Sequence, residues 1–275
     1  MQHSRLRRAY VPCRFGQLHV RIAEPEAVPV APPLVCFHQT PSHGGDWDAV
    51  LALMSRDRWV VAPDTPGYGQ SDAPPEPASL EELATALSEG LEALAAGLGF
   101  ALTRYDAMGH HTGSVLAAEL ARYDGRVRHL VFCSLPAFGE AARQDMLRGI
   151  DGMFPPVDGS LARAEQLHAF QSSFADRRLD GAQRQVAMAE CLRLGERMDW
   201  GYRAVFEYDL IAVLSALPHR ALILNSEDDL NAVTGEAAQL LERGIYRELE
   251  GCGHGFLAFA DEAFARDVRA FLDGN

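Results

Sequence analysis

Short apolar runs alternate with amphipathic stretches along most of this chain. Residues 9–15 and 18–22 alternate polar and apolar side chains on either side of Gly16, which predicts a β-hairpin. Further apolar runs have the length of buried strands and occupy residues 33–38, 58–63, 102–108, 127–134, 220–225 and 245–249. Stretches with helical spacing occupy residues 47–55, 79–98, 114–121, 235–243 and 261–272. Such alternation predicts an α/β fold with a mostly parallel sheet covered by helices on both faces.

The strand pattern stops between residues 137 and 208, where only helical patterns occur. We therefore predict a core formed by residues 1–136 and 209–275 and an inserted helical cap formed by residues 137–208. The cap is expected to lie over the carboxyl ends of the strands, where open α/β sheets place their binding sites. Most of its large apolar side chains should pack, and a few should line an apolar pocket; they are Phe138, Met153, Phe154, Phe170, Phe174, Trp200, Tyr202, Phe206 and Tyr208.

Composition narrows the classes of partner. The 275 residues are 48% apolar, which suffices for one large core. The 38 acidic and 25 basic residues give a net charge of −13, which argues against nucleic acid and membrane as partners because both require a basic face. The five cysteines are scattered and form no C-x-x-C pair. With no apolar segment typical of a signal peptide, these features predict a reduced, cytoplasmic protein.

The most informative segment is Gly-His-His-Thr-Gly at residues 109–113. It follows a predicted strand and precedes a predicted helix, which is the context of the nucleophile elbow G-x-S-x-G. This sharp turn lifts its central side chain above the sheet. The central residue here is His111, so the serine of that motif is absent and an imidazole takes its place.

Four further motifs accompany the elbow. They are His38-Gln39-Thr40-Pro41, the turn-rich segment from Asp64 to Asp72, Ser226-Glu227-Asp228-Asp229, and Gly251-Cys252-Gly253-His254-Gly255. In this order the five motifs resemble those of the capped type of the α/β-hydrolase fold superfamily, from about residue 9 to residue 272. The resemblance implies an eight-stranded, mostly parallel sheet flanked by helices, with an inserted helical cap.

The resemblance also implies a catalytic set of His111, Asp229 and His254. His254 lies in the family's histidine loop and would act as the base. Asp228 and Asp229 compete for the role of the acid that orients the base, and Asp229 is favoured because the family's acid stands three residues after the position of Ser226.

Three roles remain open for His111: a general base paired with His254, a nucleophile that forms an acyl-imidazole, or an inert residue. We rank the general base first. If the imidazoles of His111 and His254 lie close together, their titrations are coupled, and Asp229 would favour protonation of His254 and leave His111 neutral.

The remaining site predictions concern the groups around the reacting carbonyl. The backbone N–H groups of Thr40 and Thr112 are expected to form the oxyanion hole. His38, Gln39 and His110 are assigned to substrate binding. Packing is the usual role of the family's histidine at position 110.

We therefore predict an enzyme that hydrolyses a small organic carbonyl compound, namely an ester, a lactone or a C–C bond. An alternative is a lyase, decarboxylase or cofactor-free oxygenase that uses His111 and His254 for proton transfer. An alternative of another class is a non-catalytic protein that binds a small molecule. No cofactor and no metal are predicted. The expected partner is a small-molecule substrate, and a homodimer stays open.

Overall fold

The computed structural model describes residues 6–154 and 156–274. Eight strands form one sheet in the order β1-β2-β4-β3-β5-β6-β7-β8. They are β1 (Leu6–Cys13), β2 (Gly16–Ala23), β3 (Leu34–Phe37), β4 (Val60–Pro63), β5 (Tyr105–His110), β6 (Val127–Cys133), β7 (Arg220–Ser226) and β8 (Gly244–Leu249). The pairs β1–β2 and β2–β4 are antiparallel, and the others are parallel. The predicted hairpin and the mostly parallel sheet are confirmed.

Ten α-helices accompany the strands within the described residues. They are α1 (Asp48–Met54), α2 (Leu80–Leu98), α3 (Thr112–Tyr123), α4 (Glu140–Met153), α5 (Leu161–Ser172), α6 (Gly181–Leu194), α7 (Trp200–Glu207), α8 (Leu210–Ala216), α9 (Asn231–Ala237) and α10 (Glu262–Leu272). Apolar side chains of α2, α3 and α8 pack on one face of the sheet, and those of α1 and α10 pack on the other. Helices therefore cover both faces, as predicted. Among the described residues, no helix has the length and apolar character required to cross a membrane.

Local signals explain where several helices begin. Ser79 accepts a hydrogen bond from the N–H of Glu82, whose carboxylate in turn accepts from the N–H of Ser79, so the predicted capping box of α2 is present. Asp261 accepts from two backbone N–H groups at the start of α10. The helix predicted over residues 235–243 is misplaced, because the chain already turns into α9 directly after Asp228 and Asp229. The backbone N–H of Asn231 donates to the carbonyl of Asp228 and starts this earlier helix.

Helices α4 to α8 all lie between β6 and β7, and we call residues 134–219 the insertion. The boundaries 137 and 208 of the cap stay a prediction. Residues 1–5 and 275 of the predicted core and residue 155 of the predicted cap lie outside the described residues.

Glycines bring the elbow close to the sheet. A Cβ atom at Gly113 would lie 2.0 Å from the carbonyl oxygen of Phe37 on β3, and one at Gly109 would lie 2.2 Å from the carbonyl oxygen of Gly113. Real side chains do not occupy such short distances, so the first turn of α3 can rest on β3 only because both residues are glycine. This contact fixes the height of the elbow above the sheet.

Replacing Gly113 with alanine is expected to lower the free energy of unfolding by about 2–3 kcal/mol, because α3 must move away from β3. Urea denaturation of the two proteins measures the difference. The matched control is Gly125→Ala, since a Cβ there meets no heavy atom within 4 Å. An equal loss of stability in both variants would contradict the explanation from close packing.

Candidate active site

The backbone presents His111 at the junction of β5 and α3. Its φ of 51° and ψ of −115° lie in a region that side chains other than glycine rarely adopt. Among the described residues other than glycine, only His111 and Ser134 have a positive φ. Such conformations cost about 1–3 kcal/mol each and concentrate at functional sites. The two residues contact the same carboxylate.

That carboxylate belongs to Asp228. The Nε2 atom of His111 lies 2.9 Å from Oδ2 of Asp228, which also accepts from Oγ of Ser134 at 2.8 Å and from Oγ of Ser226 at 2.6 Å. Its other oxygen, Oδ1, accepts from the backbone N–H of Leu230 at 2.9 Å. All four of these partners are hydrogen-bond donors, and the Asp228 side chain is wholly shielded from solvent.

The protonation state of this pair follows from its surroundings. Burial alone would raise the pKa of Asp228, but the hydrogen bond and charge of His111, together with the Ser226 hydroxyl, hold that pKa well below its ordinary value. The ionised carboxylate can only accept, so Nε2 of His111 carries a proton and donates it to Asp228. In a neutral His111, Nδ1 is then the nitrogen with a free lone pair.

A second histidine–aspartate pair lies beside the first. The Nε2 atom of His254 is 2.7 Å from Oδ1 of Asp229, and its Nδ1 atom is 3.2 Å from Oε1 of Gln39. Burial alone would raise the pKa of Asp229, but the hydrogen bond to His254 and the nearby imidazole of His111 lower it. With acceptors at both ring nitrogens, the arrangement suits an imidazolium. The amide of Gln39 can also turn its NH2 group towards Nδ1, so it accommodates a neutral His254 as well.

Three imidazoles therefore meet at the elbow. The ring centroids of His111 and His254 are 4.5 Å apart, and the ring of His110 stands edge-on to His111 at 4.6 Å. His110 is buried, and neither of its nitrogens has a hydrogen-bond partner among the described residues. Burial, followed by the neighbouring rings of His111 and His254, lowers the pKa of His110 well below its ordinary value, which keeps it neutral.

Two overlapping sets of ligand-type atoms occur in this cluster. His111, Asp229 and His254 each offer one atom within 4.8 Å of the others, and so do His110, His111 and Asp228. The first set faces a cavity, whereas Asp228 of the second set does not line it.

Backbone pairing joins the loop of His254 to the insertion. The N–H of His254 donates to the carbonyl of Phe174 at 2.8 Å, and the N–H of Asp176 donates to the carbonyl of His254 at 2.8 Å. The carboxylate of Asp176 accepts from the N–H of Gly253 at 3.1 Å. The insertion thus contributes directly to the position of the His254 imidazole.

The predicted oxyanion groups border the same cavity. As the first residue of α3, Thr112 has no helical carbonyl to which its N–H can donate, and the N–H of Thr40 has no backbone partner among the described residues. The positive end of the α3 dipole adds to the attraction for an anion at Thr112.

His38 stays a predicted substrate-binding residue, but it is not among the residues that line the cavity. Both of its ring nitrogens form hydrogen bonds with the surrounding loops. Nδ1 donates to the carbonyl of Gln39 at 2.7 Å, and Nε2 accepts from the N–H of Thr65 at 2.8 Å. Burial lowers the pKa of His38, so it stays neutral in this structural role. Gln39 and His110, the other residues assigned to substrate binding, do line the cavity.

The cavity has a volume of about 550 Å³ and lies between the elbow and the insertion. Six of the apolar cap residues singled out from the sequence line it, namely Phe138, Met153, Phe170, Phe174, Tyr202 and Phe206. Phe154, Trp200 and Tyr208 do not. The volume fits a small organic molecule, and much of the cavity wall is apolar.

The sequence interpretation gave no role to Asp228, Ser134 or Ser226. Asp228 was set aside in favour of Asp229, yet each carboxylate has its own histidine. Ser134 directly follows β6 and Ser226 ends β7, and these strands are parallel neighbours. Serines at the carboxyl ends of adjacent parallel strands lie close together, which was the signal available in the sequence.

Comparisons with known proteins agree with this architecture. The model of the alpha/beta hydrolase family matches residues 34–267. The chain is 25% identical over 277 positions to the non-heme chloroperoxidase of Burkholderia pyrrocinia, covering 88% of this chain and 92% of that protein. It is 29% identical over 140 residues to the 1-acylglycerol-3-phosphate O-acyltransferase ABHD5 of Rattus norvegicus, but this match spans only 47% of the chain and 39% of that protein. The structure of the enol-lactonase from Burkholderia xenovorans LB400 superimposes with a TM-score of 0.72 at 22% identity, covering 96% of this chain and all of that one.

Proposed function

Because the chain belongs to the alpha/beta hydrolase family, we propose that it hydrolyses a small, largely apolar carbonyl compound by direct attack of water. Esters and lactones are the favoured substrates. The third candidate is a compound with a cleavable C–C bond next to a carbonyl group. The observation that carries the proposal is the pairing of His111 with the buried carboxylate of Asp228. This pairing leaves the second nitrogen of His111 as a base at the place where the family's motif has a nucleophile.

In the first step His111 removes a proton from water as the water oxygen bonds to the carbonyl carbon. The carbonyl π electrons move to the oxygen, and the N–H groups of Thr40 and Thr112 stabilise the oxyanion. Asp228 stabilises the imidazolium formed at His111, because its carboxylate already accepts the Nε2 proton. No acyl-enzyme forms in this route.

In the second step the oxyanion reforms the carbonyl and expels the leaving group. His254 donates a proton to that group, and Asp229 stabilises the protonated form of His254 before the transfer. A proton then passes from His111 to His254 through water in the cavity, which restores the starting state. Each histidine thus has its own carboxylate, Asp228 for the base His111 and Asp229 for the acid His254.

The test is a panel of aryl esters, lactones and β-diketones assayed with wild type, His111→Ser and His254→Ala. We expect wild type to hydrolyse at least one class without a covalent adduct in intact-mass spectra. His111→Ser should instead form an acyl-enzyme, because a hydroxyl then occupies the elbow beside His254.

Two outcomes would contradict the proposal. An acyl adduct on His111 of wild type would show that His111 acts as a nucleophile and not as a general base. A wild type that hydrolyses nothing on the panel, while His111→Ser gains esterase activity, would remove the hydrolase assignment. Slow proton exchange of the β-diketones without hydrolysis would then favour the alternative of a lyase.

A further inference from the structure

We propose that His111, Asp229 and His254 form a binding site for one divalent transition metal ion of the zinc class. The proposal concerns binding at the cluster and does not depend on the hydrolytic activity. Two imidazoles and one carboxylate converge on the same edge of the cavity, with one ligand-type atom of each within 4.8 Å of the others.

The spacing of the ligand-type atoms can be compared with the spacing that a zinc ion requires. Ligand atoms around a tetrahedral zinc ion with bonds of about 2.1 Å lie roughly 3.4 Å apart. The pair formed by Nε2 of His254 and Oδ1 of Asp229 is at 2.7 Å and would open, and the His111 ligand atom lies within 4.8 Å of both partners. The Asp229 side chain is 47% exposed and that of His254 is 25% exposed, so both have room to rotate.

Each candidate histidine ligand already has an outer partner. Metal-bound imidazoles normally donate their second N–H group to a carboxylate or carbonyl oxygen, which fixes the tautomer and orients the ring. His111 donates Nε2–H to Asp228 and would bind through Nδ1, while His254 can donate Nδ1–H to Oε1 of Gln39 and bind through Nε2. The hydrogen-bond partners that would orient both metal-binding imidazoles are therefore already in place.

The charge of the cluster and its position at the cavity also favour a metal ion at this site. With neutral imidazoles, the carboxylates of Asp228 and Asp229 give the cluster a charge of about −2, which matches a divalent cation. The three ligand residues line the cavity, so water can complete the coordination sphere. The buried, unpartnered ring of His110 offers a hydrogen-bond partner to such a water. Nitrogen and carboxylate ligands select zinc, cobalt or iron(II) over magnesium or calcium.

The test uses the purified full-length protein, treated with chelator, dialysed and titrated with Zn²⁺ in a calorimeter, with metal content measured after gel filtration. We expect one ion per chain. His254→Ala and Asp229→Asn should each weaken binding at least about tenfold, and Asp228→Asn, which alters the outer shell, by about 10–100-fold. Titration with Co²⁺ should produce d–d absorption bands in wild type that the Asp229→Asn variant lacks.

The matched control is His219→Ala, which removes a half-buried imidazole that does not line the cavity and should leave the affinity unchanged. Circular dichroism verifies that each variant is folded, and Asp229→Asn retains a side chain of the same shape. The proposal is overturned if wild type binds no ion, or if His254→Ala and Asp229→Asn bind it as wild type does.

Activity measured in parallel separates this proposal from the preceding one. An ion at the cluster takes the lone pair through which His111 acts as a base, so hydrolysis should fall as the occupied fraction rises. If hydrolysis rises with occupancy, the metal site stands and the general-base mechanism is overturned. If metal-free protein hydrolyses the substrate and no ion binds, the hydrolase assignment stands and the metal site is overturned.

Discussion

Replacement of His111 by alanine is expected to lower kcat/KM for the best ester or lactone by on the order of 10³-fold. In the proposed mechanism the change removes the base that activates water, and the loss corresponds to about 4 kcal/mol of transition-state stabilisation. The N–H groups of Thr40 and Thr112 and the apolar walls remain, so the residual rate should stay above that of the uncatalysed reaction. Initial rates of the purified variant on the responsive substrate measure the effect.

Two controls make this result specific to the imidazole. His219→Ala removes a half-buried histidine between α8 and β7 that does not line the cavity, and we expect its kcat/KM to stay within about twofold of wild type. Imidazole added to the buffer should raise the rate of His111→Ala, since the vacated space can admit a free base. A variant that retains a tenth or more of the activity without added imidazole would contradict the role of His111 as base.

The second large effect is expected for Asp228→Asn, again on the order of 10³-fold in kcat/KM. An amide at this position can present its NH2 group to Nε2 of His111. The imidazole proton would then reside on Nδ1, where the base is required, and the nitrogen that faces the reaction would have no lone pair. The loss should appear in kcat, because the carboxylate stabilises the charge that His111 gains in the transition state.

The comparison with Asp229→Asn decides which carboxylate supports the base. We expect Asp228→Asn to be slower than Asp229→Asn by about tenfold or more, because His111 forms charge in the step that attacks the carbonyl. Thermal unfolding of both variants separates loss of fold from loss of chemistry. If Asp229→Asn were instead the slower variant, His254 would be the base and Asp229 its supporting carboxylate, as the motif offset alone suggests.

Most of the fold was predictable because each signal in the sequence is local. The alternating and apolar runs located the eight strands, and Ser79 with Glu82 located the start of α2. The helix after β7 was misplaced because its start depends on a backbone turn at Asp228. That turn leaves little trace in the hydrophobic pattern.

The site was predictable in part, since motif order indicated His111, Asp229 and His254 without revealing their pairing. An offset from Ser226 cannot show that two adjacent aspartates serve two different histidines. That division depends on how the chain turns after β7 and on hydroxyls contributed by two strands. The same holds for His38, whose neighbours on the Thr65 loop decide that its nitrogens are already used.

The backbone hydrogen bonds between residues 174–176 and His254 connect the insertion to the histidine cluster. Any displacement that draws this part of the insertion away from the sheet also draws the imidazole away from Asp229 and Gln39. The geometry of the His254–Asp229 pair is therefore sensitive to the position of residues 174–176.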